Sequence, residues 1–145
     1  MNNRPLTTLF LLQSLDGKIS TGDFDERYFD KDLPHIAGLK EGLHQYYEIE
    51  QQTDNFSLIT GRVMAKVGVN SNSLNDVNKI PIHFVVVDNK PHLTSHGVEY
   101  LARKFEHLVI VTTNKSHPAY ELTQQHAGIS ILKYDSIIYF TDVFS

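Results

Sequence analysis

"IHFVVVDNKPH", Ile82 to His92, runs through three consecutive valines and then stops on a polar turn. A strand with one wet face alternates apolar and polar residues. This one does not, so both of its faces are buried, as in a parallel sheet. Pro81 bounds it on one side and Asn89-Lys90-Pro91 on the other. Ligands of open α/β sheets bind outside the carboxyl ends of the strands, so Asp88, Asn89 and Lys90 are placed to read a ribose or its phosphate. The competing reading of the same residues is a polar β-turn before Pro91.

Working outward, "FSLIT", Phe56 to Thr60, reads as a short strand stopped by Gly61, and "RVMAKV" as a helical turn that ends at Gly68. Asn70 to Asn78 has the composition of a loop. "SHGVEYLARKF" places Val98, Leu101 and Phe105 on one helical face, and "HLVIVTT" is the next strand. Pro118 opens a predicted helix through "AYELTQQH" to Gly128, followed by the apolar runs "ISILKYD" and "SIIYF". Upstream, Thr7 to Gln13 reads as a strand buried on both faces. Leu39, Leu43 and Tyr46/Tyr47 mark a helix reaching about Thr53. Strands and helices alternate, which predicts one α/β domain over 1–145, a mostly parallel sheet with helices on both faces. Thr141-Asp142-Val143-Phe144 has the form of a capped helix start, and the sequence stops one residue later. The expectation is an N-terminal portion of a longer domain, incomplete at its C-terminus.

Composition narrows the function. A net charge of −4 argues against non-specific nucleic-acid binding, which needs a basic face. The absence of cysteine removes disulfides, thiolate metal sites and a cysteine nucleophile together, and fits a reducing compartment. "LFLL" and "HFVVV" are far shorter than the roughly 20 apolar residues of a membrane helix. The N-terminus has no signal-peptide core, so a cytoplasmic protein without membrane partners is expected. Of eight histidines only His92 and His96 stand at close helical spacing, without a carboxylate at ligand spacing, so loop or surface histidines are expected and no metal site. Neither a G-x-S-x-G elbow nor a G-x-G-x-x-G after a strand is present.

Two further segments carry candidate chemistry. In "ITGRVMAKVG", Gly61 permits close backbone approach and Arg62 opens a short helix, a pairing suited to phosphate. A strand-to-helix turn with a solvated arginine is the plainer alternative. In "QSLDGKISTG", Gln13 to Gly22, the first strand empties into an Asp-Gly turn. That is either a tight turn or the start of a mobile loop that closes over a ligand.

The strand running into "S-L-D-G-K-I", then "TGRVM", "FVVVDN" and "LVIVTT" in that order, resembles the dihydrofolate-reductase-like superfamily. It is most similar to the reductase domain of the bacterial riboflavin-biosynthesis deaminase/reductase and its stand-alone relatives. The resemblance covers essentially the whole chain. It implies an NADPH-dependent oxidoreductase that transfers hydride to a pyrimidine-, pterin- or folate-like small molecule, homodimeric in the full-length form. It also implies roles for residues. Gln13, Ser14, Asp16, Gly17 and Lys18 would lie beside the nicotinamide, with the loop folding over the reacting ring. Gly61 and Arg62 would meet the cofactor phosphates, and Asp88 and Asn89 would lie near the adenosine. No catalytic side chain is implied, since the cofactor carries the chemistry. Phe10 stands where the riboflavin-pathway enzymes carry a lysine, and Lys66 and its neighbours replace their acidic A-D-D-P motif. Those differences point to a stand-alone reductase with another substrate. The alternative from a different class is a nucleotide-binding module with the same fold and no turnover.

Overall fold

The computed structural model describes residues 55–143 continuously, together with residues 6–9, 11, 45, 48, 49 and 52. The chain groups into two compact units, of which one is Leu6–Asp54 and the other contains Asn55–Ser145. In the first unit Gln45, Glu48 and Ile49 are helical, within the helix expected from the spacing of Leu39, Leu43 and Tyr46. The buried N-terminal strand is corrected where it is described. Thr7, Thr8, Leu9 and Leu11 belong to no strand, and Leu9 is 81% exposed. A short apolar run makes a strand only where a ladder partner takes its backbone groups.

The second unit is an α/β layer. Its elements are β1 (Phe56–Thr60), α1 (Gly61–Lys66), a 3-10 turn (Val69–Ser71), β2 (Ile80–Val87), α2 (Ser95–Lys104), β3 (Phe105–Thr112), α3 (Ala119–Leu122), β4 (Ile129–Lys133) and α4 (Phe140–Val143). All strand pairs are parallel, in the order β1-β2-β3-β4. The ladder is irregular between Ile80 and His83, where Pro81 has no N–H to give.

Parallel strands laid down in sequence, each joined by a crossover of the same hand, put all the crossovers on one face. The core shows this. Phe84, Val86, Leu108, Ile110 and Ile129 form one buried cluster with Val69, Val98, Leu101, Ala119 and Leu122. Met64 and Val67, from the segment after β1, pack against that same cluster. The opposite face carries Leu58, Val85 and Val109 in register, none of them in the cluster. It also carries a row in which Phe56 stacks on His83, His83 lies beside His107, and the His107 ring hydrogen-bonds Ser130. Among the described residues the crossover helices therefore cover one face of the sheet.

Local chemistry sets the element ends. Thr60 caps α1, and Gly68, at φ 92°, takes the left-handed conformation that ends this turn. Thr94 caps α2, its hydroxyl accepting from the Gly97 amide. Phe105 leaves the helical face expected for it. It is extended, begins β3 and stacks on Phe84 with ring centroids 3.9 Å apart. The helix after Pro118 is shorter than predicted. It closes at Leu122, and hydrogen-bonded turns carry the chain to Gly128. Thr141 is not the last helix's cap. That helix starts at Phe140, and the Tyr139 carbonyl accepts from Asp142 and Val143.

Candidate functional site

The carboxyl ends of β1, β2 and β3 meet around Asp88, the residue after β2, which is only 1% exposed. A buried carboxylate needs partners, and this one has them. Its oxygens accept from the His92 and Leu93 amides at 3.1 Å, from His92 Nδ1 at 3.0 Å and from His117 Nε2 at 3.1 Å. Its backbone is tied to β3, the amide donating to the Val111 carbonyl and the carbonyl accepting from the Thr112 hydroxyl. Burial pushes the Asp88 carboxyl up. The hydrogen bonds from His117, His92 and the Leu93 and His92 amides outweigh it and hold the pKa below the ordinary carboxylate value.

The hydrogen bonds also fix the protons on both imidazoles. His117 is buried, and its Nδ1 accepts from the Ala119 amide. That leaves the proton on Nε2, where it is donated to Asp88. An ionised Asp88 only accepts, so His92 carries its proton on Nδ1. His92 Nε2 has no hydrogen-bond partner among the described residues, and the side chain is 39% exposed.

The loop bearing His92 is clamped from outside as well. The Asn70 side chain donates to the His92 carbonyl and accepts from the Thr94 amide and hydroxyl. Gly97 accommodates it, since a Cβ there would lie 2.2 Å from Asn70 Oδ1.

Gly61 packs directly on Asp88, a contact the sequence reading did not foresee. A Cβ on Gly61 would sit 2.3 Å from Asp88 Cγ, so glycine is required for packing against the carboxylate. Arg62 follows on α1 and is exposed. Asn89 is exposed and accepts from the Thr113 amide, joining the loops after β2 and β3. The Asp88 carboxylate is enclosed by donors of its own chain. What it contributes at the strand ends is the placement of residues 89–94. Gln13, Ser14, Asp16, Gly17 and Lys18 lie outside the described residues.

The histidines expected at the surface or in loops divide. His92 and His96 point to different partners, Asp88 and the Asn72 carbonyl. His117 is in a loop but fully enclosed. The i+4 spacing from Asp88 to His92 was a readable signal for one partner. His117, 29 residues from Asp88, reaches it only because β3 returns beside β2. A separate hollow of about 360 Å³, lined by Asn72, Asn75, Asp76, Tyr100 and Lys104 among others, lies where the loop before β2 meets the end of α2. That is the opposite end of the strands from Asp88. Being polar and open, it lacks the apolar lining of a small-molecule site.

Among the described residues no helix is long and apolar enough to cross a membrane, and no group of three or more metal-ligating side chains occurs. No protein-family model, curated protein or solved structure matches the chain.

Proposed function

We propose that the carboxyl ends of β1 and β2 bind a nicotinamide dinucleotide. On this reading the chain is an NADPH-dependent reductase acting on a pyrimidine-, pterin- or folate-like small molecule. The observation that carries it is the contact of Gly61 with Asp88. It brings the Gly-Arg turn after one parallel strand against the end of the next, at the end of the sheet where α/β folds take nucleotides. Arg62, exposed and next to Gly61 on α1, and Asn89 and Lys90, exposed in the loop after β2, follow the carboxyl ends of these two strands. The resemblance of these same segments to the dihydrofolate-reductase-like superfamily supports the choice of cofactor. The bound nicotinamide would supply the hydride, while the chain binds, orients and excludes water.

The test is cofactor affinity and its dependence on Arg62. A charge-assisted contact from Arg62 to the adenosine 2′-phosphate, which NADH lacks, would contribute roughly 1.5–3 kcal/mol. Arg62→Ala should therefore weaken NADPH binding by about one to two decades and NADH binding much less, measured by calorimetry. Equal losses for both cofactors would make Arg62 a structural residue. NADPH oxidation in the presence of pterins, folates or aminopyrimidines separates a reductase from a module that only binds.

A further inference from the structure

We infer that His83 and His107 form a two-histidine site for a divalent transition-metal ion of the zinc class. It lies on the sheet face that, among the described residues, the crossover helices leave uncovered. The two histidines are direct ladder partners on the adjacent parallel strands β2 and β3. Both point away from the cluster of Phe84 and Leu108, since side chains alternate along a strand. Paired strands run about 4.8 Å apart, so the imidazoles stand side by side. Their ring centroids are 6.0 Å apart. An ion held at about 2.1 Å by one nitrogen of each ring sets the centroids about 5–6.4 Å apart, depending on the angle at the metal. The observed spacing falls within that interval. The pair can therefore take an ion by turning its rings, without moving the backbone.

Each ring is also held as a ligand needs to be. Phe56 stacks on His83 with centroids 4.7 Å apart, which fixes the plane of that imidazole. Neither ring nitrogen of His83 is hydrogen-bonded among the described residues, so its lone pair is available. His107 Nε2 lies 2.8 Å from the Ser130 hydroxyl. With Nε2–H donating to that oxygen, Nδ1 keeps its lone pair for the ion. Metal-bound histidines are generally oriented in this way, through the second ring nitrogen. One step along the same face stand Leu58, Val85 and Val109, in register. These apolar neighbours limit water access and offer no competing ligand. Imidazole nitrogen suits zinc, copper and nickel, whereas magnesium and calcium take oxygen. Two protein ligands leave the remaining positions to water, so the ion is exchangeable. Sequence spacing does not show the pair, because α2 and its flanking loops separate the two strands.

The experiment titrates Zn²⁺ alone into the full chain at about pH 7.5, where imidazoles are mostly neutral. The ring nitrogens of all eight histidines are followed in ¹⁵N spectra, a readout on the parent that needs no variant to fold. The His83 and His107 rings should respond first and together, saturating at one ion per chain, and Mg²⁺ should move neither. In His83→Gln the His107 ring should lose that response, and in His107→Gln the His83 ring should lose it. Ser130→Ala, which removes only the hydroxyl behind His107, should weaken zinc binding about tenfold, and the two histidine substitutions at least as much. A response spread evenly over the histidines, or led by another ring, overturns the site. So does a silent pair at millimolar Zn²⁺, or zinc affinity undiminished in all three variants.

Discussion

Asp88 concentrates more of this unit's polar structure than any other residue at the strand ends. Hydrogen bonds to a charged group are each worth roughly 1.5–3 kcal/mol, and stranding buried donors costs more. Asp88→Asn keeps the shape but turns one oxygen into a donor that faces donors. It should destabilise the unit by about 3 kcal/mol in denaturant titration. The acid limb follows from the same residue. Its folded pKa lies below the unfolded value, so its contribution is present above about pH 4 and is lost as pH falls through the folded pKa. Stability of the parent should decline on acidification in that window, and Asp88→Asn should flatten the decline. Gly61→Ala places a methyl against a carboxylate that cannot move without surrendering its donors. It should cost roughly 1–3 kcal/mol, against a near-neutral result if the contact can relax.

The strands were the most readable elements. "FSLIT", "IHFVVVD" and "HLVIVTT" each became a strand within a few residues of the expected limits, but burial on both faces is not seen among the described residues. Phe84, Val86, Leu108 and Ile110 are buried on one face, while β1 ends the described sheet with Phe56 and Leu58 exposed. Helices were less so. Val98 and Leu101 are buried on α2 as their spacing implied, while Phe105 obeyed the sheet, gaining a ring stack on Phe84 in place of a helical contact. Leu101, 1% exposed, joins α2 to the core, and Leu101→Ala should cost about 2–5 kcal/mol in thermal or chemical unfolding. A loss under 1 kcal/mol, well short of that range, would mean α2 is not packed as described. The end of α3 was not legible beyond Leu122. There the Thr123 hydroxyl bonds the Tyr120 carbonyl, a local competitor that composition does not rank. The site was half legible. Gly61, Arg62, Asp88 and Asn89 were marked by strand ends, but the inward turn of Asp88 depends on His117 and Asn70, which only tertiary pairing brings near.

Across the described sheet the order β1-β2-β3-β4 does two things. It gathers the crossover helices on the face of Phe84 and Leu108, and it aligns the carboxyl ends of all strands at one edge of the unit. We propose that edge as the nucleotide site. The most direct measurement is a backbone amide NMR titration of the chain with NADPH. A nucleotide site at that edge predicts saturable shifts at Gly61, Arg62 and Asn89 to Thr94, with the amides around Asn72 to Asn78 unmoved. Shifts confined to Asn72–Asn78, or no saturable shift anywhere at millimolar NADPH, would contradict it.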